Sequence, residues 1–356
     1  MKSKVYFIGV SESDYSLTIQ SKLKHLLDKA GLFDHIKAND RVCVKLHFGE
    51  EGNTGFVKPE YLRIICDKLK GKLARPILSD TNTLYKGLRT NSKDHLKLAH
   101  EHGFTPENTG VEVIIPDDKI KDNCKEIEIN QKFIKFAKVS SLFIDADALV
   151  GVAHFKGHIM TGFGGALKNI GMGCAIREGK LQQHSNIAPI IYLDACVACG
   201  ACVEACPVKA ITLKDKKAYI DSATCIGCAS CLAACNYHAI DVHWASGGDT
   251  IQEKMIEYAS AVLGKQKNKP VFINFCIKIT KECDCLAKDD PRVVSDIGIL
   301  ASLDPVSLDK ACLDMIEKRA GRDIFKELHP DRDGYKQLKY AAALGLGNLD
   351  YDLLSV

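Results

Sequence analysis

The chain has 356 residues, 16 of them cysteine, with 46% hydrophobic and 26% charged residues and a formal charge of +3. That length allows about two domains with ample core, so crosslinks are not needed to offset small size and the cysteines call for a chemical reason. The near-balanced charge argues against a nucleic-acid binder held by phosphate neutralisation, and the ordinary apolar fraction argues against disorder.

The run from Val5 to Val10 reads as a first strand, too short for the apolar core of a secretory leader. A helical period follows from Leu17 to Leu32, then a strand from Val42 to Phe48, a helix from Pro59 to Leu69, a strand at Ile77-Leu78 and a helix from His95 to His102. His95, His100 and His102 share a polar helix face with Lys93 and Lys97 and are expected to be solvated. Ala148 to Ala153 is a further apolar run. No uncharged stretch of about 18 apolar residues occurs, so no bilayer span is expected and the protein is taken as cytoplasmic. In a reducing compartment, cysteines serve as metal ligands or redox groups more often than as disulfides.

Eight cysteines fall between residues 196 and 235, as Cys196-x2-Cys199-x2-Cys202-x3-Cys206-Pro207 and Cys225-x2-Cys228-x2-Cys231-x3-Cys235-Asn236. Each is offset from its counterpart by 29 residues (225 − 196, 235 − 206), and Ala210-Ile211 recurs as Ala239-Ile240. Such a register implies two copies of one unit with a cysteine loop, a short helix and a strand. Three thiolates two residues apart can wrap one face of a cubane, while the fourth reaches the neighbouring cluster. One [4Fe–4S] cluster is therefore assigned to Cys196, Cys199, Cys202 and Cys235, and a second to Cys225, Cys228, Cys231 and Cys206. Paired zinc sites would leave the third and fourth cysteines of each run unexplained. The segment from about Ile190 to Val242 resembles the two-cluster bacterial ferredoxin domain, which implies a low-potential, one-electron relay. Asn236 stands where that family has proline, so an altered turn with the cluster kept is expected there.

Downstream, Ile251 to Leu263 is helical in period, Val271 to Ile277 is a strand, and Asp304-Pro305 opens a helix through Ala320 with Asp304 as its cap. Lys265 to Lys269 reads as a surface loop, and Tyr340 to Gly345 as the packed end of a last helix. The alternation predicts an α/β domain with a mostly parallel sheet, in two parts (1–189 and 246–356), with a small α+β ferredoxin-like domain inserted at 190–245.

Ligands collect beyond the carboxyl ends of strands in such sheets. Four strand ends here carry polar, metal-capable groups: His47 to Asn53, Ser79 to Thr83, His154 to His158, and Lys278 to Cys285. If the strands are parallel, these groups meet at one mouth. Cys283-x-Cys285 could clamp one soft metal, zinc or iron, with His154 or His158 adding nitrogen; the alternative is packed, hydrogen-bonded side chains. Cys174 is a further thiol candidate, Cys43, Cys66 and Cys312 are expected in the core, and Cys124 and Cys276 are unassigned. Residues 157–173 hold six glycines. Such a loop can turn backbone N–H groups towards an anion, with Lys168 adding charge, or can simply let backbones pack closely. It matches neither the P-loop nor the dinucleotide fingerprint.

Lys45-Leu-His47-Phe-Gly-Glu50, Ser79-Asp-Thr-Asn-Thr83, His154-Phe-Lys-Gly-His158, Gly164-Gly-Ala-Leu-Lys168-Asn169 and Glu282-Cys-Asp-Cys285-Leu286 together resemble the domain-of-unknown-function 362 family, whose members include uncharacterised iron–sulfur centre proteins. The resemblance spans nearly the whole chain. It implies that the strand-end groups form a functional site without naming a reaction. His158 and Lys168, ten residues apart, are also similar to a pattern of lactate-racemase-like proteins, from which no nickel cofactor is carried over.

Three readings stand open. In the first, the clusters pass electrons between a redox partner protein and a site lined by His47, Asp80, His154, His158, Lys168, Cys283 and Cys285. There Cys283 and Cys285 bind metal or act as a redox dithiol, the histidines bind metal or transfer protons, and Lys168 holds a small anionic substrate. In the second, the protein is a non-catalytic carrier that docks on oxidoreductases. In the third it is an iron–sulfur sensor.

Overall fold

The computed structural model describes residues 2–85, 87–119, 123–184, 188–242, 250–266 and 270–356. Its strands run β1 (Ser3–Gly9), β2 (Arg41–Lys45), β3 (Arg75–Ser79), β4 (Val113–Ile114), β5 (Cys124–Glu128), β6 (Phe136–Ser140), β7 (Ala148–His154) and β8 (Lys156–His158). They continue with β9 (Gly162–Gly164), β10 (Ile190–Ile191), β11 (Ile211–Lys214), β12 (Lys217–Ile220), β13 (Ile240–Asp241), β14 (Val271–Cys276), β15 (Gly298–Ser302) and β16 (Tyr351–Ser355).

One eight-stranded sheet has the order β16-β1-β15-β14-β7-β2-β3-β4. From β14 through β7, β2 and β3 to β4 every pairing is parallel. All residues of β7, β14 and β15 are buried, as expected of strands covered on both faces. Alternate side chains serve opposite cores. Val42, Val44, Val150, Val152 and Ile273 pack with the helices Ser16–Ala30 and Pro59–Gly71. Cys43, Leu149 and Phe272 face the helices Ala166–Gly171, Ile251–Leu263 and Pro305–Ala320. Gly171 lets the first two of these three approach, because a Cβ there would lie 2.1 Å from the Met255 carbonyl oxygen. Asp304 caps the third as predicted, accepting from the Val306 and Ser307 amides at 2.9 Å.

Several expectations change. The sheet is mostly parallel as expected, but β15 is inserted antiparallel between β14 and β1; its apolar run Gly298-Ile-Leu-Ala-Ser302 carries no periodic signal that separates strand from loop. The helix Tyr335–Ala343 is followed by a strand, β16, pairing with β1, and β5 and β6 form an unpredicted hairpin. His95 is fully buried rather than solvated, since the helix Ser92–Glu101 turns it inward with Leu98 and Ala99. His100 is exposed, while His102 stacks on Phe56 and meets the Phe48 carbonyl oxygen at 2.8 Å. Cys174 is a core thiol, pushed up to about 12 by burial, and Cys43, Cys66, Cys276 and Cys312 are buried as well. Cys124 is half-buried on the β5–β6 hairpin. Of the expected loop at Lys265 to Lys269, residues 267–269 lie outside the described residues.

Residues 190–241 contribute two separate two-stranded sheets, β10–β13 and β11–β12, and a core built on Ile211, Leu232, Ile240 and several cysteines that also takes in Leu84 and Leu181. The 29-residue repeat is visible in the backbone. Left-handed φ values occur in pairs at Ala198 and Gly227 (56° and 69°), Gly200 and Ala229 (83° and 54°), and Lys209 and His238 (55° and 52°).

Candidate functional site

Two small cavities lie in the 190–241 segment. One is lined by Cys196, Cys199, Cys202 and Cys235, the other by Cys206, Cys225, Cys228 and Cys231. Each cavity thus takes three cysteines from one run and the fourth from the other. The fourth cysteines are held alike: the Ala210 amide donates to Cys206 Sγ at 3.2 Å and the Ala239 amide to Cys235 Sγ at 3.3 Å. The turn after Cys235 therefore repeats the turn after Cys206, although Asn236 replaces proline. The expected alteration is absent because His238, like Lys209, takes the left-handed conformation that the turn needs.

Because β2, β3, β7 and β14 are parallel, their carboxyl ends open on one side of the sheet. A cleft of about 820 Å³ occupies that side, lined by His47, Asp80, His154, His158, Lys168, Cys283 and Cys285. The four predicted strand-end groups do meet. Leu232, Cys235, His238, Ile240 and Asp241 line the same cleft, so the wall of the first four-cysteine cavity is also a wall of this one.

Within the cleft the polar groups divide into a buried charge network and a thiol centre. Lys45, at the end of β2, bonds Asp80 at 2.9 Å and the Asn169 side-chain oxygen at 2.9 Å. Asn169 returns its amide to the Lys45 and Val152 carbonyl oxygens, tying β2 to β7. Arg89 bonds Glu50 at 3.0 Å and His47 Nε2 at 2.8 Å, and lies 3.9 Å from Asp80. Burial works against the Asp80 carboxylate, yet the charges of Lys45 and Arg89 hold its pKa well below the usual range. Burial and the Arg89 charge keep His47 neutral, and burial pushes His95 down to about 3. Two donors face the ring, Arg89 at Nε2 and the Gly49 amide at Nδ1 (3.0 Å), and a neutral His47 accepts from one of them.

On the other side, His154 Nδ1 meets Asp284 at 2.8 Å and Nε2 the Lys278 carbonyl oxygen at 3.1 Å. His154 is therefore occupied in holding the 278–285 loop. Lys156 bonds the same Asp284 at 3.3 Å. Burial alone would raise Asp284, but His154 and Lys156 outweigh it and hold the carboxyl strongly ionised. Gly157 lets this loop close over β8, since a Cβ there would meet the Lys281 carbonyl oxygen at 2.1 Å.

Among the described residues, His158, Cys283 and Cys285 bring three ligand atoms within 4.8 Å of one another. Of the two histidines offered for metal, it is His158 that joins the cysteines. Burial, Lys168 and Lys156 keep its ring neutral. A hydrogen bond from Cys285 lowers the Cys283 thiol against the effect of burial, helped by Lys168 and Lys156; that same bond, with burial, raises Cys285. Lys168 Nζ lies 3.9 Å from the Cys283 sulfur.

The glycine-rich stretch serves packing. The amides of Ala166 and Leu167, which open the helix Ala166–Gly171, donate to Asp309 at 2.7 and 2.9 Å, so a carboxylate of the chain itself fills that N-terminus. Asp309 also accepts from Asn274, and burial raises its pKa to about 6. Lys168 faces the cleft, as do Gly164, Gly165 and Gly173 of the same stretch. The roles of Arg89, Lys156, Asp284 and Asp309 were missed. Lys45 carried a usable signal, a charge inside the apolar run Val42 to Leu46, whereas Arg89 and Asp309 lie far from any strand end in sequence.

A family model described as domain of unknown function (DUF362) matches residues 42–314. Over 38 residues the chain is 53% identical to the ferredoxin-type protein NapF of Haemophilus influenzae, covering 11% of this chain and 22% of that protein. Over 31 residues it is 58% identical to a ferredoxin of Acetoanaerobium sticklandii, covering 9% of this chain and 55% of that protein. Both matches span well under two thirds of the relatives. Among solved structures, a Thermotoga maritima protein aligns with TM-score 0.42 at 13% identity over 85% of this chain and 58% of its own. The lactate racemase apoprotein of Thermoanaerobacterium thermosaccharolyticum aligns with TM-score 0.38 at 13% identity over 78% and 51%. Among the described residues, no helix is long and apolar enough to cross a membrane.

Proposed function

The chain belongs to the DUF362 family, and from its two four-cysteine cavities beside the cleft we propose that it is an iron–sulfur redox protein whose inserted segment, residues 190–245, exchanges electrons with the cleft of the α/β domain. Two [4Fe–4S] clusters would be held by Cys196, Cys199, Cys202 and Cys235, and by Cys206, Cys225, Cys228 and Cys231. Clusters of this kind supply one-electron transfer. The residues fit: each cavity has four cysteines, and amide-to-sulfur hydrogen bonds of the kind that tune cluster thiolates recur at the same repeat position. The observation that carries the proposal is Cys235, which lines both the first cavity and the cleft of Cys283 and Cys285.

At the cleft, Cys283, Cys285 and His158 would hold one soft metal ion, zinc or iron, leaving a coordination position for substrate. Asp284 positions this centre through His154 and Lys156. A second reading, a redox dithiol without metal, is favoured by one contact: His158 Nδ1 accepts from the Met160 amide at 3.1 Å, which leaves the ring proton on Nε2 as a proton donor. A low-potential redox protein would supply the electrons in either case.

Metal analysis of anaerobically purified protein separates the readings. The Cys283→Ser/Cys285→Ser variant should keep the cluster iron and its visible absorption while losing about one further metal per chain. A wild type without the extra metal, but with one Cys283–Cys285 disulfide that takes up two electrons and two protons per chain to become the dithiol, would select the second reading. A variant that matches wild type in both metal and electron uptake would sink the cleft site altogether.

A further inference from the structure

The cleft carries information about what it accommodates. Lys45, Arg89 and Lys156 on its wall are matched by Asp80, Glu50 and Asp284. Lys168 has no carboxylate partner among the described residues; its ammonium lies beside the Cys283 sulfur and faces the cleft. The same cleft is lined by Leu84, Met160 and Met172, and by Ile159 and Leu286, which are 58% and 38% exposed. Large apolar side chains left open beside the half-buried Lys168 need an apolar partner to leave water. The volume of about 820 Å³ lies towards the upper end of small-molecule sites and far exceeds what a bare inorganic anion fills.

Resting on the proposed cleft site, we infer that its ligand is an amphipathic organic anion. The carboxylate or phosphate head sits at Lys168, next to Cys283, and an apolar body of several carbons lies along Ile159, Met160 and Leu286. The head supplies the oxyanion partner that no carboxylate of the described residues gives Lys168, and the body covers the exposed apolar side chains.

Isothermal titration of the full, cluster-loaded chain with butanoate, hexanoate and octanoate tests this. Octyl phosphate, octanol and octyltrimethylammonium serve as head-group controls. Affinity should rise about three- to four-fold per methylene along the carboxylate series, from roughly 0.8 kcal/mol for each buried CH₂. Octanoate or octyl phosphate should bind at least about ten-fold more tightly than octanol, as a charge-assisted contact allows. Lys168→Gln should abolish that head preference and keep the length dependence; Ile159→Ser, at an exposed position, should do the reverse. If Lys168→Gln fails to fold, the wild-type series with its controls decides alone. Binding without length dependence, equal binding of octanol and octanoate, or no binding of any carboxylate would overturn the inference. Iron content and dithionite reduction of the same samples report on the relay independently, so failure here and failure of the relay are told apart.

Discussion

A Cys206→Ala/Cys225→Ala variant should retain about four of roughly eight iron atoms per chain, the content of one [4Fe–4S] cluster out of two. The two residues are 19 positions apart and sit in different runs, but they line one cavity. A Cys196→Ala/Cys206→Ala variant, with both changes in the first run, should lose nearly all the iron, because these cysteines line different cavities. If each run instead wrapped its own cluster, the two results would exchange. Iron and sulfide analysis with absorption spectroscopy reads the difference directly.

The second large effect is on stability. Asp80→Ala removes the carboxylate that faces Lys45, Arg89 and His95 in a setting where Lys45 is 1% exposed. Leaving a buried ammonium without its partner costs about 3–5 kcal/mol. Lys45→Met added to Asp80→Ala should recover part of this loss, so that the double variant is more stable than the single; Arg89 still has Glu50. The pH dependence has a definite sign. The folded Asp80 pKa is depressed, so its stabilisation is fully present above the unfolded value near 4 and is lost as pH falls below it. Denaturant midpoints from pH 7 down to pH 3 should fall more steeply for wild type than for the double variant. A double variant no more stable than Asp80→Ala would mean that the charges are not coupled as the 2.9 Å contact requires.

The parts of this protein that could be read from residues alone are those in which chemistry imposes spacing. A cubane dictates where four thiolates fall along a chain, so the crossed grouping of the eight cysteines that now line two cavities, four to each, was legible without coordinates. Parallel strands dictate that their carboxyl ends share a side, so the meeting of His47, Asp80, His158 and Cys283 followed from four strand assignments. What was not legible depends on rotation about an element or on long-range contact. His95 looked solvated because Lys93 and Lys97 flank it, yet the turn of one helix aims it at Asp80. His154 and His158 differ by four residues and look equivalent as ligands, but Asp284 and the Lys278 carbonyl engage the first and leave the second beside the thiols. The glycine-rich loop suggested an anion site, and only the fold reveals that Asp309, more than 140 residues away, already occupies its helix N-terminus.

The cavity of Cys235 and the centre of His158, Cys283 and Cys285 are neighbours across one wall of the cleft. Cobalt(II) introduced at the cleft centre of the cluster-loaded protein, followed by dithionite reduction and electron paramagnetic resonance, tests it most directly. The account predicts faster spin relaxation for the signal of one reduced cluster, the one that disappears in a Cys196→Ala/Cys199→Ala variant, and no such change when Cys283 and Cys285 are serine. Two cluster signals that relax alike with and without bound cobalt would contradict it.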